Sequence, residues 1–291
     1  MSSDETNAGV DRMAGAEPVP GSAKSDPILV ADGVRRSFGG LRAVDVEHLE
    51  VQRGTITALI GPNGAGKSTL FNLLTGFDRV DGGRWTFEGR AVNGRRGHQV
   101  ARAGMVRTFQ LTKALTRMTV LDNMLLGAPG QFGERMAGAF LRPVWQGQER
   151  LNTERALDLL ERFKLVDKRH ELAGALSGGQ RKLLEMARSL MTDPTMIMLD
   201  EPMAGVNPAL VQSLLGHITS LRDDGKTVLF VEHDMDVIMG ISDWIVVLAQ
   251  GQVIAEGRPS DIRSNRQVID AYLGAQEESS EAAGSGDDGQ R

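Results

Sequence analysis

An α/β fold with a parallel sheet core, an antiparallel β lobe and a helical subdomain is predicted by three sets of segments in this 291-residue chain. TMIMLD (195–200), TVLFVEH (227–233) and WIVVLA (244–249) are near-continuous apolar runs, the pattern of parallel strands buried on both faces. TITALI (55–60) leads into GPNGAGKST (61–69) and then STLFNLLTG (68–76), which reads as strand, glycine-rich turn and helix. VDVEHLEV (44–51) alternates apolar and polar residues as a half-buried strand does. With ILVADGV (28–34) and RWTFEG (84–89) it forms the antiparallel lobe.

The remaining elements follow in order. MVRTFQ (105–110) reads as a strand ending in Gln110. From Thr119 to about Val166 the pattern turns helical, interrupted by the Gly/Pro-containing stretch 127–147. Within it, ERALDLLERFKL (154–165) has apolar residues at helical spacing. A helix starts at LSGGQ (176–180) and runs through RKLLEMARSLM, and another spans 208–222. The helical subdomain is therefore expected at roughly 112–190 of a domain covering 28–274.

Composition narrows the setting. The chain has no cysteine, so disulfide and thiol chemistry are excluded. No apolar run approaches the roughly 18 residues a membrane helix needs, and the polar, acidic N-terminal stretch lacks the pattern of a secretion signal. The chain is expected to be soluble by itself, with any membrane role supplied by partners. Residues 1–27 carry a charge of −3 and 275–291 carry −4, which leaves 28–274 near +2 although the chain totals −5. Both ends are rich in Ser, Gly, Ala and acids and are expected to be disordered. A nearly neutral core argues against nucleic acid as a partner.

The chemistry concentrates in two motifs. Gly61, Gly66, Lys67 and Ser68 stand at the required places of G-x-x-x-x-G-K-[ST], with Pro62, Asn63, Gly64, Ala65 and Thr69 completing the segment. Glycines let backbone N–H groups turn toward the phosphates of ATP, the lysine supplies a charge to the β and γ oxygens, and the Ser68 hydroxyl can ligate Mg²⁺. About 110 positions later, Ser177, Gly178, Gly179 and Gln180 form a serine-capped helix start with glycines that allow close approach to an anion. Read alone, an ordinary capped helix satisfies the same pattern. Asp200 and Glu201 close an apolar run, where the crevice of a parallel sheet opens, so Asp200 fits a Mg²⁺ ligand and Glu201 a general base.

Taken with TMIMLDEP (195–202) and VEH (231–233), these motifs resemble the ATP-binding-cassette (ABC) ATPases from about Ile28 to Gly274. The resemblance implies a switch role for His233 at the γ-phosphate. It makes Gln110 the glutamine that joins Mg²⁺ and water to the membrane-facing surface. It gives Phe38 the adenine-stacking position, with Val44 on the same side of the base; a core phenylalanine is the competing reading. It also implies a head-to-tail pair, in which Ser177, Gly178 and Gly179 of one protomer close over ATP on the other's Lys67 loop. Asn207 stands where many members of the family carry aspartate.

FGGLRAV (38–44), VRTFQLTKALTRMTVLDNMLLG (106–127), LDEPMAGVNP (199–208), VEHDMDVIMGISD (231–243) and VIDAYLG (268–274) narrow the branch. They are similar to the ATPase subunits of branched-chain amino acid importers, as is the insertion at 128–150; by itself that insertion also reads as a solvated loop with an apolar patch at Val144 and Trp145. The implied partners are two transmembrane permease subunits, a second cassette (a paralogue or a copy) and, indirectly, a solute-binding protein, at the cytoplasmic side of the membrane. Urea or amide import, lipopolysaccharide extraction and a non-transport ABC ATPase are the alternative functions. Against the last, one cassette is present and no sustained heptads separate its motifs.

Overall fold

The computed structural model describes residues 11–108, 116–129 and 142–273, with 142–146 as backbone only. Two sheets organise it. The first is antiparallel, in the order β2 (Leu41–Gln52), β1 (Pro27–Phe38), β4 (Gly82–Phe87), β5 (Arg90–Ala91). The second has six strands: β10 (Gln252–Gly257), β9 (Trp244–Ala249), β3 (Ile56–Ile60), β8 (Thr227–Val231), β7 (Met196–Asp200) and β6 (Met105–Arg107). All its neighbours are parallel except the β9–β10 pair at one edge.

Every residue of β3 and β8 is buried, as their apolar runs require of strands covered on both faces. The pleat then divides their side chains. Ile56, Ala58 and Ile60 enter one core with Phe163, Leu183 and Leu214, whereas Leu59 enters a second core with Leu70, Phe71 and Trp85. Helices α5 (Gly178–Ser189) and α6 (Pro208–Asp223) thus lie on one face of the large sheet, while α1 (Lys67–Leu74) and the antiparallel lobe cover the other.

In the helical subdomain, α3 (Val120–Leu126) begins at Thr119, whose hydroxyl accepts from Asp122 N–H at 3.1 Å. Its Val120 and Met124 pack with Ala156 and Leu160 of α4 (Arg142–Arg162) and with Leu183 and Leu184 of α5. Helix α4 starts inside the stretch expected to interrupt the helical pattern; Pro143 sits in its first turn, where the missing N–H costs nothing. Residues 130–141 of the insertion lie outside the described residues. Short elements that carry too little periodicity to be foreseen complete the fold: α2 (Gly97–Arg102), α7 (Met235–Ile241), α8 (Pro259–Arg263), strand β10 and a helical stretch at 266–273.

The disorder expected of residues 1–27 does not hold from 11 onward. Met13 is buried in the second core, and Lys24 is buried with its Nζ 3.1 Å from Glu256 and 4.6 Å from the centre of the Trp244 ring. Glu256 also accepts from Ser22 N–H at 2.7 Å and from Trp244 Nε1–H at 2.9 Å. The average composition of the segment hides these residues, whose buried charges are tolerable because each is matched. Residues 274–291 fall outside the described residues.

Candidate functional site

The glycine-rich loop leaves β3 and enters α1 at the C-terminal edge of the parallel sheet. Two of its glycines are dictated by space as well as by conformation. At Gly61 (φ +149°) a Cβ would lie 2.0 Å from the Leu248 carbonyl oxygen, and at Gly66 (φ +97°) 2.2 Å from that of Ala43. Gly64 has φ +78° with nothing near, so only its backbone conformation asks for glycine. Ala65 N–H donates to Pro62 O at 3.2 Å and Ala65 O accepts from Gly251 N–H at 3.0 Å, which ties the loop to the β9–β10 turn. Lys67 is buried and donates to Gly61 O at 2.7 Å and Pro62 O at 2.9 Å. Burial pushes its ammonium pKa below the ordinary lysine value, against the opposing pull of the Glu201 charge. Asn63, Gly64 and Ser68 are exposed, with Pro62 and Thr69 half-buried.

The acidic pair lies along the same edge. Asp200 ends β7, and its Oδ2 accepts from Arg107 Nη2 at 2.5 Å; both side chains are about nine-tenths buried. Glu201 follows with φ +47°, a strained left-handed conformation for a residue with a side chain. Its N–H donates to Val231 O at 3.0 Å, and its Oε1 lies 2.9 Å from His233 Nε2. The sheet thus brings Asp200, Glu201 and His233 to the edge where the loop holds Lys67, as the strand-end positions of the three implied.

Sequence reasoning passed over two residues here. Glu232 is buried and accepts from Met203 N–H at 2.7 Å through Oε1 and from His233 N–H at 3.2 Å through Oε2. Burial, with the Glu201 charge adding to it, raises its pKa above the ordinary carboxylate value. Arg107 is the other, a cation closing the apolar start of MVRTFQ. An isolated charge at a strand end was the available signal in both cases.

The remaining candidates separate. Ser177 caps α5: its Oγ accepts from Gln180 N–H at 3.2 Å, while Gln180 Oε1 accepts from Ser177 N–H at 3.0 Å. Ser177 and Gly178 are exposed, whereas Gly179 is buried, and a Cβ there would sit 1.9 Å from Leu210 Cδ2. Packing against α6 thus favours glycine at 179 as well. Asn207 caps α6, its Oδ1 accepting from Leu210 N–H at 2.9 Å. Among the described residues no hydrogen bond joins Ser177–Gln180 to the glycine-rich loop.

Phe38 is 48% exposed, with the Arg36 guanidinium 4.6 Å from its ring centre. It is a surface ring and not a core phenylalanine. Val44 is fully buried, because the alternation along β2 turns it inward with Val46, so its assignment beside a stacked base is corrected. Gln110 lies outside the described residues.

Comparison with known proteins identifies the family and agrees with the fold. The model of the ABC transporter family matches residues 44–204, and that of the branched-chain amino acid ATP-binding cassette transporter family matches 252–278. The probable branched-chain amino acid transport ATP-binding protein LivG of Archaeoglobus fulgidus is 42% identical over 250 residues, covering 86% of this chain and 96% of the relative. The high-affinity branched-chain amino acid transport ATP-binding protein BraF of Pseudomonas aeruginosa is 44% identical over 252 residues, covering 86% and 99%. Among solved structures, the ADP conformation of an ABC transporter's ATP-binding cassette superposes with a TM-score of 0.74 at 38% identity, covering 85% of this chain and 99% of that one. A nucleotide-free cassette from an ABC transporter gives 0.73 at 36% identity, covering 84% and 98%.

Proposed function

This chain belongs to the ABC transporter family and is an ATPase, and on that premise we propose that it powers import of branched-chain or other hydrophobic amino acids from the cytoplasmic side of a membrane. The observation that carries the reading is the meeting of a buried Lys67, the Asp200–Glu201 pair and His233 at one sheet edge, in a chain whose relatives are named for this transport. No helix among the described residues is long and apolar enough to cross a membrane. In this reading, attachment comes through two permease subunits, a second cassette, paralogous or identical, and indirectly a solute-binding protein.

Each residue then has a task. The N–H groups of Gly64, Gly66, Lys67, Ser68 and Thr69 surround the ATP phosphates at the start of α1. Lys67 exchanges its two carbonyl acceptors for phosphate oxygens, which relieves the cost of its burial. Among the described residues no group of three or more His, Cys, Asp or Glu could hold a metal ion, so a cation held by protein alone does not fit. Two hard oxygens, Ser68 Oγ and Asp200 Oδ1, do suit a Mg²⁺ ion that keeps several waters and arrives with nucleotide. When bound, that ion would neutralise charge on the β and γ phosphates. Gln110 is proposed to join it to the permease-facing surface.

Glu201 polarises the attacking water, and His233, hydrogen-bonded to it, steadies base and γ-phosphate. Ser177, Gly178 and Gly179 of a facing cassette complete the site, and Phe38 offers its exposed ring to adenine. Catalysis is positioning and charge stabilisation, without a covalent intermediate. The test is to purify the tagged chain from gently solubilised membranes and identify what accompanies it. Two polytopic permeases and a second cassette are expected; full ATPase activity with no membrane partner would overturn the transport assignment.

A further inference from the structure

We propose that Arg107 is a positioning residue that sets Asp200 and the phosphate-loop helix in register for a nucleotide-bound magnesium ion; this rests on the reading of Asp200 given above. Arg107 closes β6, in register with Met198 two residues before Asp200 on the neighbouring strand. One arm of its guanidinium holds Asp200 Oδ2 at 2.5 Å, and the other donates to Asn72 Oδ1 at 2.6 Å and reaches Thr75 Oγ1 at 3.5 Å. The rings of Phe71 and Phe77 flank the group at 5.7 and 6.0 Å.

Helical spacing explains what this bridge accomplishes. Ser68 and Asn72 are four residues apart on α1 and so share a face. Fastening Asn72 to Arg107, and Arg107 to Asp200, therefore fixes the Ser68 face of the helix relative to the carboxylate. Asp200 Oδ1 accepts no hydrogen bond among the described residues, which leaves that oxygen for a cation's water. The bridge needs a planar fork, since one guanidinium spans two acceptors on different elements where a lysine ammonium is a single point. Its Nε–H is buried without a partner among the described residues, a cost that an apolar side chain filling the same space would not carry.

The experiment titrates MgCl₂ into the full chain with a fluorescent ATP analogue, and repeats the nucleotide titration in EDTA. Outer partners of metal ligands typically change metal affinity about 10–100-fold, so Arg107→Met should raise the magnesium midpoint by that order and leave binding in EDTA unchanged. Arg107→Lys should restore part of the loss. Asn72→Ala, which removes one anchor without touching Asp200, should shift the midpoint in the same direction by less. An unchanged or lower midpoint in folded Arg107→Met overturns the proposal; should that variant not fold, an unchanged midpoint in Asn72→Ala does so. A wild-type chain whose nucleotide affinity ignores magnesium overturns the underlying assignment of Asp200 instead, and the proposal with it.

Discussion

The glycine-rich loop and the Ser177–Gln180 turn are both helix starts built from glycine and a hydroxyl residue, yet they are held in place by different means. Gly61 and Gly66 press against the backbone carbonyls of Leu248 and Ala43 from positive-φ conformations, so strands on either side mould the loop. Ser177 instead caps its own helix within four residues, and Gly178 is exposed with no atom nearer than 3.7 Å to an added Cβ. One end is finished by the domain that contains it. The other is presented outward. A helix terminus made rigid by its surroundings can order a bound anion by itself, whereas one made rigid by its cap contributes only when something is brought to it.

The largest expected effect joins the two ends. Glu201→Gln should lower ATP turnover by about 10²–10⁴-fold and leave nucleotide bound, trapping a pair of cassettes that elutes as a dimer with ATP. Turnover at the wild-type rate would remove Glu201 from the role of base. A second comparison separates the ends by stability. Gly66→Ala should destabilise the fold by about 2–4 kcal/mol, because both φ and the Ala43 carbonyl oppose a side chain. Gly178→Ala should leave unfolding within about 0.5 kcal/mol of wild type and still cost about a hundredfold in turnover of the assembled pair. Denaturant melts beside ATPase assays check both, and equal losses of stability would break the contrast.

The smallest effect concerns the residue behind the base. Glu232 has a raised pKa, so its contribution to stability is fully present below the unfolded carboxylate pKa and is lost as pH rises through the folded value. Glu232→Gln carries no such charge. Its melting temperature should therefore gain on the wild type as pH rises from 4 to 8, and a difference independent of pH would count against a strained carboxylate there.

Much of the site was legible because its residues answer to local rules. GPNGAGKST demands glycine for backbone reasons, LSGGQ contains its own cap, and Asp200 with Glu201 terminates an unmistakable buried strand. The antiparallel lobe followed from alternation, and the same alternation should have placed Val44 inside. What escaped depends on distant partners. Arg107 acquires meaning only from Asp200, 93 positions away, and Glu232 from Met203, 29 away. Packing of Gly179 against Leu210 likewise joins two helices that the motif alone does not connect.

Lys24 and Glu256 stand 232 positions apart, which has a bearing on how the chain is made. A ribosome releases Lys24 near the beginning and Glu256 almost at the end, so the ammonium waits in water while nearly the whole cassette is synthesised. Trp244 likewise lacks its carboxylate acceptor until β10 has emerged. Contacts of such separation are slow to close, and they leave the first strands unsealed until the last one arrives. Completion of the nascent domain is thus timed by its final strand, and a polypeptide interrupted before β10 would leave Ser22 and Lys24 without their Glu256 partner.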